Sequence, residues 1–595
     1  MASFPLDSQE KFAYAPSHKK NVLALHLNLP MHLHIKRNVL ALHLSFYFTP
    51  LALALVTMVT QPGKTIATEI NSSHIIFHVD PSFKSLSPEE ISSWIKSINQ
   101  EKKSNLKHIQ IAEPLPDTLL PPDMASPAFI WEDPAQCTTW LLCFDCKGKP
   151  LIRALLSKPW WVPEAGIWKK VRIMAGNNDI QVKIIGIGGW SGRETISIGH
   201  TYFRFSLDNV GAWLMFMQKP LPFLKAKKNP RATNLLAGDL SSYQPPKTVM
   251  QNLPVCANCH TYSSNGHVFA MDMDYGGDKG AFVLSPMKNE MVIKKKDIFS
   301  WNELPPLEPA SYSMGLFAKL SPSGRYLAAT VNETSVFVMM EDLFFSQLFF
   351  PSTGQIAIFD RKSKQYKLLP GASQPDMVQT SPEWSPDGKT LAFAAVPVNP
   401  DLVAEVLAKK ILNESPRQKI DILNKKYKVC FNIFTVPFCK GKGGKAKPLP
   451  GASNNGYSNY FPRYSPNGRW MVFTQSPTGL VLQPESRLYI APAKGGNARP
   501  LKCNMPVMNS WHSWSPNSKW LVFTCKANSP YTELYLTHID DQGKSSPAVR
   551  LFRFSSNKLA AMVPEFISLS APLPEYLNLD SPEQAKGASM AVDGR

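Results

Sequence analysis

Short apolar runs, many alternating with polar residues, fill the chain from about residue 116 to residue 575, and turn-forming residues separate them. Alternation with period two predicts strands with one buried face. A different spacing appears at two places. "LSPEEISSWIKSI" (86–98) carries Ser87 as a candidate N-cap, Pro88 at the first helical position and two glutamates in the first turn, which predicts a short helix inside an otherwise linker-like 61–115. "DLVAEVLAKKILNESPRQKIDILNKKYK" (401–428) predicts a helical insertion between strands.

Between about 116 and 225 the runs "SPAFIWED", "TTWLLCFDCKG", "WVPEAGIWKKVRI", "DIQVKIIGIGG" and "HTYFRFSLD" follow one another with turns between. This texture predicts an immunoglobulin-like or fibronectin-like β-sandwich with Trp131 and Trp140 as core aromatics. Cys143 and Cys146 form a Cys-x-x-Cys within it. Residues three apart on a strand point to opposite faces, so the pair reads as structural.

The remainder repeats. "NCHTYSSNGHVFAMDM" (258–273), "LFAKLSPSGRYLAATV" (316–331), "TSPEWSPDGKTLAFAA" (380–395), "NYFPRYSPNGRWMVFT" (459–474) and "NSWHSWSPNSKWLVFT" (509–524) align on a serine that opens a polar turn. Proline presets φ, Asp or Asn bonds its own backbone, and glycine takes the left-handed position, so each segment is a hairpin. Further strands such as "GQIAIFDRKSKQYKLLPG" follow, and a four-stranded unit recurring at this spacing is a propeller blade. The repeated "WSPDGK-x-LAF" resembles the TolB-like, WD-repeat-like β-propeller family over roughly 250–555. The resemblance implies six blades, the last drawn from the 225–250 region and from "AAMVPEFISL", and an envelope binding scaffold. It carries over no catalytic residue. The expected architecture is therefore all-β: a sandwich at 116–225, a propeller at 226–575 and a flexible tail from 576.

Composition narrows the setting. At 595 residues the chain exceeds one ordinary domain, and 44% hydrophobic content excludes global disorder. The formal charge is +19, with basic residues scattered and no nucleic-acid-binding signature beside them; a solvated basic surface is the plain reading, and nucleic acid is not an expected partner. Lys36 and Arg37 precede a run that carries no formal charge until Lys64. This reads as a secretory signal or signal anchor within 1–60, with translation from Met1 or from Met31, and it implies a periplasmic or envelope protein with membrane association through its N-terminus.

"VCANCHTYSSNG" (255–266) holds the sharpest chemistry. Cys-x-x-Cys-His supplies two thiols for the vinyl groups of a haem and an adjacent imidazole for its iron. Cys256, Cys259 and His260 are thus candidate haem c ligands, with His260 proximal. His260 and His512 stand three residues before their turn serines, at the same place on the innermost strand of two blades, so both could converge near one mouth of the channel. His512, Met505, Met508, Met271 and Met273 are the distal candidates, although His512 equally fits a core histidine and the methionines core packing. Cys256, Cys259, His260 and His512 also make a Cys2His2 set for zinc or copper, or the thiols pair as a disulfide. "DMDYGGDKG" (272–280) offers calcium-type oxygens but reads better as a polar turn. No hydrolase or nucleotide-binding signature is present, which leans away from an enzyme. The expectation is electron transfer or redox sensing with a redox partner, or else a scaffold for an envelope protein.

Overall fold

The computed structural model describes residues 75–83 and 106–579, apart from 189–193, 230–231, 252, 254–258, 309–311, 339 and 557, together with Glu89 and Ser93. The expected N-terminal signal, nearly all of the expected 86–98 helix and Cys256 lie outside the described residues.

Six four-stranded antiparallel sheets form the larger part. Blade 1 begins with His260–Tyr262, blade 2 with Leu316–Leu320, blade 3 with Met377–Trp384, blade 4 with Ser458–Tyr464 and blade 5 with Asn509–Trp514. Each of these strands is the innermost of its sheet. Blade 6 takes its innermost strand, Leu559–Ser568, from the C-terminal side and pairs it with Ala212–Pro220, followed outward by Asn234–Asp239 and Lys247–Met250. The innermost strands neighbour one another in sequence order, and that of blade 6 also meets blade 1, so the ring closes. The propeller thus begins at Ala212 rather than 226, because Ala212–Pro220 pairs with Leu559–Ser568 and not with the preceding sheet. Of the tail expected from 576, Tyr576–Leu579 is instead a strand that pairs with Glu290–Ile293 of blade 1, and 580–595 lie outside the described residues.

The repeated turn explains the repeated sequence. In blade 3, Ser385 Oγ accepts from Thr390 N (3.0 Å) and donates to Asp387 Oδ1 (2.6 Å), while Gly388 N donates back to Ser385 O. The equivalent serine takes the same strand N–H at Ser263, Ser321, Ser465 and Ser515. Gly388 sits at φ 67°. In blade 5 the glycine place is held by Ser518 at φ 63°, and its hydroxyl accepts from Asn467 N in the turn of blade 4.

The segment before Ala212 departs from the expected sandwich. Its main sheet runs Ile76–Val79, Lys149–Leu156, Thr139–Cys146, Ile180–Gly188, Glu194–Phe205, Lys107–His108, with Thr118–Leu120 also on Glu194–Phe205. Three of these pairings are parallel, which an immunoglobulin-like connectivity would not give. A three-stranded sheet (Gln110–Glu113, Phe129–Glu132, Trp160–Trp161) accompanies it. Part of "WVPEAGIWKKVRI", expected as a strand, is the helix Ala165–Ala175. Its buried residues Ile167, Trp168, Val171 and Ala175 lie on one helical stripe, and Gly176 at φ 56° ends it. Spacing outweighed strand propensity here. Trp131 and Trp140 are core aromatics as expected, 5.9 Å apart, and Cys143 and Cys146 fall into different apolar clusters. The core of this segment is continuous with blades 5 and 6 through Trp520, Leu534 and Phe566.

Replacing Ser385 with alanine leaves the strand N–H of Thr390 and the Asp387 carboxylate without their shared partner. The expected loss is about 1–3 kcal/mol in urea unfolding, with the secondary structure by circular dichroism retained.

Candidate functional site

The innermost strands converge on the propeller axis, and three successive positions on each do different work. Two residues before the turn serine stand Thr261, Lys319, Glu383, Arg463 and Ser513; Glu565 holds that place in blade 6, where it pairs with Met215 as Arg463 pairs with Val472. These side chains meet across the axis. Lys319 Nζ lies 2.5 Å from Glu565 Oε1, Arg463 contacts Glu565 and lies 3.3 Å from Glu383, and Ser513 Oγ donates to Glu565 Oε2 at 2.8 Å. Burial alone would raise the Glu565 carboxyl, yet Arg463 and Lys319 beside it bring it down to about 2. Two cations and two anions therefore balance inside the ring.

Four residues before the turn, the chain bulges. Phe317, Ser381, Phe461, Trp511 and Val563 all have φ between 47° and 58°, and each lies in or beside a register shift of its strand pairing. A side chain in that region costs about 1–3 kcal/mol, so the ring must hold it there. The reward is a plug: Phe461 stacks on Trp511 (4.7 Å) and meets Phe317 edge-on (5.0 Å), closing one end of the channel above the charges.

Cys259 and His260 occupy the corresponding places in blade 1. Cys259 joins the apolar cluster that contains Phe317, Phe349 and Phe461. Burial pushes its thiol up to about 12, and its neighbours are Asp272 and the Phe317 backbone, on the side of blade 2. His260 is fully buried, held neutral by burial with its pKa at about 4, and lies by the Met215 backbone of blade 6; neither ring nitrogen has a hydrogen-bond partner. His512 repeats this placement two blades earlier in the ring: its Nε2 meets Val472 O of blade 4 at 3.1 Å, and burial holds its pKa at about 3.

The two histidines are equivalent, as the alignment predicts, but they do not converge. Each wedges against the carbonyl side of the preceding blade. The methionine candidates are dispersed as well: Met271 and Met273 pack between blades 1 and 6, Met508 joins the cluster of the plug, and Met505 lies against that of blade 5. No three His, Cys, Asp or Glu side chains among the described residues stand close enough to share a metal ion, so Cys259, His260 and His512 do not form the zinc or copper set. The eight cysteines described are all unpaired. Cys259 packs beside the Phe317 backbone of blade 2 and His260 by the Met215 backbone of blade 6, and Cys256, the other thiol of the motif, lies outside the described residues. In "DMDYGGDKG", Asp278 binds Gly280 N and the Asn302 amide, which makes the segment a polar interstrand turn.

The end of the channel closed by the plug carries the long insertions. A second strand runs antiparallel to the innermost one, so the link to the third strand emerges where the innermost strand begins. In blade 2 that link is a hairpin (Ser335–Val338 with Leu348–Pro351), and in blade 3 it is helical (Pro400–Leu407, Lys410–Asn413, Pro416–Asp421), as expected for 401–428. The hairpin tip reaches across the mouth to blade 5, on the opposite side of the ring, where Lys526 Nζ donates to the carbonyls of Leu343 and Phe344. Lys526 is 1% exposed, and burial lowers its pKa to about 7 against the partial support of Asp342.

The throat charges and this latch were not anticipated. Reading the aligned repeats one column to the right of His260 and His512 would have shown Thr, Lys, Glu, Arg and Ser, a polar ring with alternating charge. Nothing local marks Lys526.

No family model matches the chain, and no curated protein matches it. Solved structures are similar at low identity. TolB from Acinetobacter baumannii aligns with a TM-score of 0.37 and 13% identity over 77% of this chain and 99% of that one. The periplasmic gluconolactonase PpgL from Pseudomonas aeruginosa aligns with 0.29 and 11% over 56% and 81%. The Cps50 (Swd1) β-propeller domain from Myceliophteria thermophila aligns with 0.28 and 12% over 53% and 80%. The propeller itself is established by the strand pairings of this chain.

Glu565→Gln strands two buried cations on one carboxylate, and the expected cost is about 3–5 kcal/mol in chemical unfolding. Adding Lys319→Met restores balance around Arg463 and Glu383, so the double variant should be more stable than Glu565→Gln alone. A double variant less stable than that single would refute the network.

Lys526 predicts a pH effect. Unfolded, it titrates at its ordinary 10.5, and folded at about 7. Between those values the unfolded chain binds more protons, so this residue makes stability rise with pH from about 7 to 10. Lys526→Met should flatten the thermal midpoint across that window relative to the parent.

Proposed function

We propose that the protein is an exported, non-catalytic propeller scaffold that binds a protein or peptide partner on its capped face. One observation carries this: the hairpin and the helical insertion both rise from the face whose channel mouth is already closed by Phe317, Phe461 and Trp511. A filled throat leaves the insertion-bearing face, not the axis, to engage a ligand, and inserted segments on a rigid scaffold are where recognition concentrates. Leu407 and Tyr457, each 49% exposed, stand on that face. Export follows from the Lys36–Arg37 flank and the apolar run behind it.

A photo-crosslinking residue placed at Leu407 or Tyr457 in the producing cell should give one discrete adduct, absent when it is placed at Gln365 on the outer strand of blade 2. Equal adducts at all three positions, or none at the first two, would overturn the reading.

The Cys-x-x-Cys-His motif supports a second reading, a single c-type haem used in electron transfer. Cys259 and His260 are both buried among packed side chains, which ranks it below the scaffold. The visible spectrum and intact mass of protein made in a host with a haem-attachment system decide between the two. Apoprotein mass and no band favour the scaffold. A sharp reduced band with one haem mass, lost in Cys256→Ala/Cys259→Ala, would establish the cytochrome instead.

A further inference from the structure

The face opposite the cap carries a different chemistry. It is built by the links between first and second strands and between third and fourth strands. On blades 2 and 3 those links bring together Lys362, Lys389, Lys440, Lys442 and Lys445, with Lys447 on the outermost strand beside them, all exposed. None of the six is held in an ion pair among the described residues. The acids nearby are engaged: Asp360 by Arg325 in a two-point pair, and Asp387 by Ser385 and the Lys389 backbone N–H.

The lysine-bearing loop of blade 3, "CKGKGGKAK" (439–447), is a fixed mount and not a loose tail. Gly444 N donates to Pro370 O of blade 2 at 3.2 Å, and Lys367 Nζ donates to Lys440 O at 3.3 Å. Gly443, at φ 66°, lies so close that a Cβ would stand 2.0 Å from Pro370 O; a Cβ on Gly371, across the same contact, would stand 1.9 Å from Gly444 O. Glycines thus seat the loop in the seam between two blades and turn its lysines outward.

We propose that this basic face docks onto a membrane surface rich in anionic phospholipid headgroups. Three features of the patch select that occupant. Most of its cations are lysines, compact charges on flexible stems suited to a diffuse anionic plane; of the two arginines beside them, Arg325 is paired with Asp360 and Arg361 is half-buried. Its aromatic rings are covered: Phe438 is buried, and Tyr326 beside it is half-buried under the Arg325 guanidinium. Its aromatic rings and Arg361 are at most half-exposed, short of the protruding anchors that dominate protein interfaces. Lys440, Lys442, Lys445 and Lys447 lie on the outer link and outermost strand of blade 3, away from the axis. The apolar run before Lys64 would bring the chain to the same bilayer by an independent signal.

The test uses the full chain with phosphatidylcholine vesicles, with and without phosphatidylglycerol. Sedimentation should show tighter binding to the anionic vesicles, weakening as salt rises. Lys440→Gln/Lys442→Gln/Lys445→Gln/Lys447→Gln should lose about five-fold per lysine removed, reaching the level seen with neutral vesicles. Lys169→Gln/Lys170→Gln, on the helix Ala165–Ala175, should not. An unchanged thermal midpoint shows that the fold survives. Equal binding to both vesicle types, or an unaffected quadruple variant, would overturn the proposal. Tighter binding at the same salt to an oligoribonucleotide or to polyglutamate than to the anionic vesicles would assign the face to that partner class instead. The outcome does not depend on the partner-binding reading, which concerns the opposite face.

Discussion

Six wedge-shaped sheets must meet at an axis, and what they place there decides whether the ring closes. Here the meeting point is the Glu565 carboxylate, contacted by Lys319 of blade 2, Arg463 of blade 4 and Ser513 of blade 5. Glu565 belongs to the innermost strand that arrives last in the chain, and that strand pairs with Ala212–Pro220, laid down some 340 residues earlier. The electrostatic junction and the closure of the ring are thus one event. A buried charge costs several kcal/mol unless paired, so Lys319 and Arg463 favour the state in which Leu559–Ser568 is in place. The bulges follow from the same convergence. Turning Phe317, Phe461 and Trp511 onto the axis requires backbone that such residues seldom adopt, and the plug they form is what repays it.

Much of this was legible in the sequence, for a physical reason. A Ser-Pro-Asp-Gly turn uses side chains to bond its own backbone, so its signature is local and survives in five blades. The sixth has no such turn, and its membership depends on a pairing between distant segments that no window displays. That is why the propeller boundary sits at Ala212 and not 226. The helix Ala165–Ala175 was hidden for the opposite reason: its composition favours strand, and only the stripe of Ile167, Trp168, Val171 and Ala175 reveals it. Bulges at non-glycine residues leave no sequence mark at all.

The Cys-x-x-Cys-His motif shows how context redirects a short pattern. On a helix or a free loop, neighbouring Cys and His side chains can address one ligand. At the start of an innermost strand they lie on consecutive positions of a register that sends one side chain towards the following blade and the next towards the preceding one. His512 makes the point independently. It has no cysteines before it and still stands against Val472 O as His260 stands by Met215. The place itself packs against the preceding blade whatever its residue, since Pro382 and Pro462 fill it in blades 3 and 4, and His260 differs in having two buried ring nitrogens without a hydrogen-bond partner.

The two faces of the ring diverge in chemistry because the antiparallel blade sorts its connections. Links after the second strand are free to lengthen without disturbing the turn that starts each hairpin, and here they became the cap, with apolar segments knitted to the plug beneath. Links after the first strand are the tight serine-centred turns, while those after the third vary, from the Glu290–Ile293 strand of blade 1 to the lysine-bearing 439–447 of blade 3. Lysines stand at these positions without entering the core, as they also do on the helical insertion of the cap. What separates the two faces is the length of segment each connection tolerates: insertions long enough to fold on themselves over the plug, and shorter links seated between blades opposite it.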